Sequence, residues 1–162
     1  MSPTQSIERL HRSYAAVLYD KALRLLGDRA EAEDAVQETF INAHRNFTDF
    51  VYGTSALPWL YRICTNVCLN QLRSRRRQRS KLLGAQAETT RCAPALEGRA
   101  IARAQLDTLL GLLDQRAQQI LVLHFIDGFD QSEVAAQLGI SRRAVVKRLA
   151  AVRRLLASEG VG

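Results

Sequence analysis

Cys64 and Cys68 stand four residues apart, Cys92 lies further on, and the histidines are His11, His44 and His124. Thiols and imidazoles can hold a metal ion or run a redox couple when a fold brings them together. At helical spacing, however, Cys64 and Cys68 fall on the side that also carries Leu60, Tyr61 and Val67. A thiol on an apolar face behaves as a small hydrophobe, so the two are read as core, with no metal and no cofactor. An odd number of cysteines, three, argues against a disulfide framework. There is no glycine-rich phosphate loop, no HExxH, and no Ser or Cys with an evident His partner, so an enzyme is not expected.

Another chemistry is better represented. After Pro58, the side opposite the cysteines carries Trp59, Arg62, Asn66, Asn70, Arg73 and Arg77. Arginine suits phosphates, asparagine suits base edges, and an aromatic ring offers a stacking platform, an inventory fitted to melted or single-stranded nucleic acid. Arg73, Arg75, Arg76, Arg77, Arg79 and Lys81 extend that cationic surface. A second basic stretch runs from Ser141 to Leu156. At about 100° per residue, Val145, Leu149, Val152 and Leu156 share one face, while Arg143, Lys147, Ala150, Ala151 and Arg154 share the other. A cationic face with small residues lets a helix backbone approach a DNA groove closely. Lys and Arg outnumber Asp and Glu by 23 to 16, a net charge of +7 that favours an anionic partner.

These residues need helices to position them, and helical spacing dominates. Ile7, Leu10, Tyr14, Val17, Leu18 and Leu25 form an amphipathic stripe that Gly27 ends. Asp28 followed by Glu31 reads as a capping box opening a helix over 29–45. Residues 46–57 read as a loop leading through Pro58 into a third helix to about Arg76. Residues 80–98 lack sustained periodicity and read as a flexible linker. Helical patterning resumes over 101–112, 114–125, 131–138 and 141–156, with Gly139 in a turn and Ser141 as an N-cap. The expected fold is all-α: one helical domain over 1–79, a linker over 80–98 and a helix-turn-helix domain over 99–162. No apolar run approaches the length of a membrane span and residues 1–10 have no signal-peptide core, so a cytosolic protein is expected.

On the helix over 29–45, Ala32, Ala35, Val36, Thr39, Phe40, Ala43 and the adjoining Phe47 cluster on one side. Asp34, Gln37, Glu38, Ile41 and Arg45 occupy the other, a partly acidic face with one apolar side chain that suits a protein partner.

"LRLLGDRAEAEDAVQETFINAHRNF" (23–47) followed by "PWLYRICTNVCLNQLRSRRR" (58–77) resembles region 2 of the sigma-70 family, in particular the short extracytoplasmic-function (group 4) sigma factors. "LLDQRAQQILVLHFIDGFDQSEVAAQLGISRRAVVKRL" (112–149) resembles their region 4. The resemblance implies a sigma factor that binds bacterial core RNA polymerase and promoter DNA, acts on no small-molecule substrate, and answers to an anti-sigma factor that can be membrane-bound. It implies polymerase docking through Asp34, Gln37, Glu38, Ile41 and Arg45. Capture of melted minus-10 bases falls to Trp59, Arg62, Asn66, Asn70, Arg73, Arg76 and Arg77, with Phe50 and Tyr52 as loop candidates. Duplex minus-35 reading falls to Ser141, Arg142, Arg143, Lys147, Arg148 and Arg154. The chain departs from the family where Ala144-Val145-Val146-Lys147-Arg148-Leu149 replaces the usual Thr-Val-Lys-Ser-Arg-Leu, and where Asn70 replaces a common Asp. Two alternatives stay open: an autonomous helix-turn-helix regulator, and a sigma-like decoy for an anti-sigma factor.

Overall fold

Three long helices make the N-terminal half: α1 (Pro3–Leu26), α2 (Arg29–Arg45) and α3 (Ala56–Leu83). The C-terminal half contains α4 (Pro94–Gly111), α5 (Gln115–Leu121), α6 (Gln131–Leu138) and α7 (Arg142–Ser158). The computed structural model describes residues 3–50, 55–83 and 94–159, and among these every element is helical. The linker expectation over 80–98 falls partly outside them, because 84–93 are not described, and so do Tyr52 and Cys92.

Local chemistry sets the boundaries. Gly27 ends α1 at φ +67°, and the next residue, Asp28, caps α2 by accepting a hydrogen bond from the Glu31 amide at 2.9 Å. A single 3₁₀ turn at Phe47–Asp49 comes after α2. α3 begins at Ala56, so Pro58 sits in its first turn, where a missing amide N–H leaves no bond unmade. It continues to Leu83, beyond the expected end near Arg76. The arginine-rich run loses its apolar stripe but contains no helix breaker, and arginine is a good helix former.

Buried side chains of α1, α2 and α3 interlock around Leu18, Leu25, Phe40, Leu60, Val67 and Leu72. The same cluster continues into Leu109, Leu110, Ala117, Leu121, Val122 and Val152, so the two halves share a core. Each buried Leu, Val or Phe among them contributes about 1.5–3 kcal/mol of apolar burial. A separate cluster packs Ile120 and Leu123, from α5 and the turn after it, against Val134, Ala135, Leu138, Val145 and Leu149 of the helix-turn-helix.

The turn between α6 and α7 depends on Gly139, at φ +64°. Its amide donates to the Ala136 carbonyl at 3.4 Å and the Ile140 amide donates to the Ala135 carbonyl at 3.1 Å, closing the C-terminus of α6. Nothing lies within 4 Å of a Cβ placed there, so a side chain is opposed by backbone conformation alone. Gly139→Ala is therefore expected to cost about 1 kcal/mol, and Gly139→Asn less, because Asn tolerates the left-handed region. Urea unfolding of the full chain checks this through a lowered midpoint at unchanged slope.

Candidate nucleic-acid interface

The helix-turn-helix is fixed at each junction. Asp130 accepts from the Ser132 and Glu133 amides, both at 2.8 Å, while Glu133 accepts from the Asp130 amide at 2.7 Å, so α6 opens on a reciprocal capping box. Ser141 Oγ accepts from the Ala144 amide at 3.1 Å and opens α7. Val145, Leu149 and Val152 are buried, which turns the opposite face outward as the spacing predicts. Ser141, Arg142, Arg143, Lys147 and Arg154 are all exposed. Arg148 differs: it is partly buried and donates to both Asp114 carboxylate oxygens, at 3.1 and 2.9 Å. Val146, 43% exposed, shares the cationic face with Arg143 and Lys147 and is an addition to the residues expected there. Its signal is present in the sequence, since it lies one helical turn from Arg143 and from Ala150.

The face of α3 expected to meet melted strands is instead largely engaged by the C-terminal half. Arg62 donates to the Gln137 carbonyl at 3.1 Å, and Asn66 Oδ1 accepts from the Gln119 amide at 2.6 Å. Arg73 donates to Gln118 Oε1 at 3.3 Å and to Asn70 Oδ1 at 3.1 Å. Arg76 donates to the carbonyl and carboxylate of Asp107, at 2.8 and 3.1 Å. Asn70 and Arg77 stay exposed. Trp59 is half-buried, with its ring 5.0 Å from Phe50 and 6.5 Å from Phe47, so it packs in an aromatic cluster rather than standing free as a platform.

The polar face of α2 is open. Asp34, Gln37, Glu38 and Arg45 are exposed around Ile41, which is 51% exposed. Its reverse, from Ala32 to Phe47, is buried as expected.

Sequence reasoning missed the buried polar groups that join the halves. Lys21 and Asp127 form an ion pair whose side chains are both fully buried. Lys21 Nζ also lies 5.0 Å from the Tyr61 ring centre. Its position could have been read: three residues after Leu18 and four before Leu25, Lys21 falls on the α1 core stripe. Gln118 donates to the Leu110 and Leu113 carbonyls, at 2.6 and 3.3 Å, and so satisfies the end of α4. Cys64 and Cys68 are buried as expected. The hydrogen bond with Cys64 and burial push the Cys68 thiol up, which disfavours its thiolate. No cluster of His, Cys, Asp and Glu suited to a metal ion occurs among the described residues.

Two family models match the chain. Residues 10–78 match the family model for sigma-70 region 2, and residues 103–156 match that for sigma-70 region 4. Over 144 residues the chain is 32% identical to the ECF RNA polymerase sigma factor SigL of Mycobacterium tuberculosis, covering 86% of this chain and 80% of that one. The chain belongs to the extracytoplasmic-function sigma factors of the sigma-70 family. This sigma factor is also 34% identical over 160 residues to the RNA polymerase sigma factor NccH of Alcaligenes xylosoxydans xylosoxydans, with coverage of 94% and 83%. Among solved structures, CnrH in complex with the cytosolic domain of CnrY superposes with a TM-score of 0.59 at 26% identity, covering 96% of this chain and 87% of that one. Sigma factors are initiation factors rather than enzymes, consistent with surfaces built to bind.

Asp114, the N-cap of α5, ties that helix to α7 through Arg148. Its carboxyl is held below the ordinary range, first by the Ala117 amide it caps, at 2.8 Å, and then by Arg148. A depressed folded value means that its stabilisation is complete above the unfolded value and is lost as pH falls through the folded one. Asp114→Ala is expected to lower stability at neutral pH by about 1 kcal/mol, and Asp114→Asn, which keeps the cap, by less. Denaturant unfolding at neutral pH and below pH 3.8 should show the gap to Asp114→Ala narrowing in acid.

Proposed function

We propose that this sigma factor binds bacterial core RNA polymerase through the α2 face of Asp34, Gln37, Glu38, Ile41 and Arg45 and directs promoter-specific initiation. α7 reads duplex minus-35 DNA: Arg142, Arg143, Lys147 and Arg154 meet phosphates and base edges, Ser141 donates its hydroxyl hydrogen to a phosphate, and Val146 offers an apolar contact to a thymine methyl. Arg148 joins them on leaving Asp114. α3 takes the melted minus-10 strand with Arg62, Asn66, Asn70, Arg73, Arg76 and Arg77, while Trp59 supports the aromatic cluster beside them. Contacts to polymerase and to the minus-35 duplex offset the few kcal/mol per step of unstacking bases, so capture drives strand opening. The functional division runs 1–79, 80–98 and 99–162, with the rod of α3 carrying four residues past the first unit. The setting is the cytoplasm, and among the described residues no helix is long and apolar enough to cross a membrane. An anti-sigma factor, membrane-bound in the manner suggested by the cytosolic domain of CnrY seen with CnrH, is the regulatory partner.

The observation that carries this reading is the open α2 face, an acidic and apolar patch on a protein of net charge +7. An autonomous DNA reader has no use for it. Reconstituted transcription with core polymerase on a library of promoter fragments should yield starts that share two spaced elements. Glu38→Arg, at an exposed position, should abolish them with unchanged thermal unfolding. Tight duplex binding without polymerase and without transcripts would mark an autonomous regulator. Neither binding nor transcription would mark a decoy.

A further inference from the structure

A cavity of about 200 Å³ opens beside the C-terminal end of α1, between the later turns of α3 and those of α4. Leu25, Leu72 and Leu110 give it apolar walls. Arg75, Arg79 and Arg103 bring three guanidinium groups to the same space, against a single lining carboxylate, Asp107.

These charges do not balance. Arg75 pairs with Glu31, while Arg76 and Arg79 share Asp107. Arg103 has no ion pair among the described residues. Its guanidinium is nevertheless held in place, because it lies against the end of α1: a side chain at Gly27 would collide with it. Arg75 reaches the same turn and donates to the Leu26 carbonyl at 3.4 Å. Capping of α1 therefore accounts for Arg75, but it leaves Arg103 with a like charge as neighbour and no acceptor among the described residues. Burial first, and the charge of Arg103 next, pull the Arg75 guanidinium below its ordinary value, with Asp28 the weakest of the opposing influences. An anionic head set between the two arginines relieves that repulsion, and guanidinium forks match the oxygens of a phosphate or carboxylate. Leucine walls gain nothing from water, so the rest of the space suits a short hydrocarbon body.

We infer that this cavity is a binding site for a small amphiphilic anion, a phosphate or carboxylate head on a short apolar body, with Arg103 holding the head. The site uses none of the residues assigned to polymerase or to the minus-35 element, and it does not depend on the sigma-factor reading.

Isothermal titration calorimetry of the full chain with alkyl phosphates tests it. Butyl phosphate should bind about tenfold more tightly than methyl phosphate, since each further buried methylene contributes about fourfold. Butanol, which has the body without the charge, should give no heat of binding. Pentanoate distinguishes the heads: affinity equal to that of butyl phosphate extends the site to carboxylates, weaker binding restricts it to phosphates, and either supports it. Arg103→Leu should weaken butyl phosphate about tenfold without lowering thermal stability, and Arg103→Lys should recover part of the affinity. Should Arg103→Leu fail to fold, Ala104→Leu takes its place: it narrows the cavity from an exposed position and should cost butyl phosphate more than methyl phosphate. Equal affinity for the two phosphates, unchanged binding by Arg103→Leu, or no binding by the wild type overturns the site. Transcription by the wild type with core polymerase is scored separately, so failure of the site and failure of the sigma-factor reading are told apart.

Discussion

α3 is packed on two sides, and that demand dictates the placement of the other helices. One face of this 28-residue helix closes the bundle with α1 and α2 through Leu60, Cys64, Val67 and Leu72. The opposite face is lined with arginine and asparagine, and α4, α5 and α6 meet it through side-chain amides, carbonyls and Asp107. Apolar matter can be buried against any apolar neighbour, whereas a polar face can be covered only by groups that complete its hydrogen bonds. The apolar side therefore fixes the N-terminal bundle, and the polar side fixes which parts of the C-terminal half can lie against it.

Charge is distributed to match. The cations of α7 other than Arg148 point outward, while arginines along α3 find oxygen acceptors: Arg75 pairs with Glu31, and Arg76 and Arg79 pair with Asp107. Surface pairs of this kind contribute little to stability. Their consequence is that the same guanidinium groups can exchange a protein oxygen for a phosphate oxygen at small net cost, which keeps a nucleic-acid face adaptable.

Much of this was legible in the sequence wherever a rule acts locally. The bounds of α2, the Asp28 and Ser141 caps and the left-handed Gly139 arise from side chains acting on their own or adjacent turns. The outward α2 and α7 faces come from periodicity. The features that escaped were non-local. The extension of α3 to Leu83 was hidden because charged residues carry no amphipathic signal, and the π turn after α5 has no distinctive residue pattern. The junction between the halves was hidden for a further reason. Lys21, Gln118, Gln119 and Asp127 are residue types that normally mark solvent, and only a partner more than fifty residues away for Gln119, or a hundred for Lys21, makes their burial tolerable.

The π turn at Val122–Ile126 also has a consequence for how this segment can vary. A wide turn accommodates a residue that an ordinary α turn would not, and deleting one residue from a helix rotates the downstream chain by about 100° relative to the upstream part. Such a deletion would swing Asp127 off the line to Lys21 and re-aim α6 and α7 together, with their internal packing intact. Length, more than residue identity, is therefore the property this stretch must keep: side chains there can drift while the angular offset between the reading helix and the rest of the molecule is preserved.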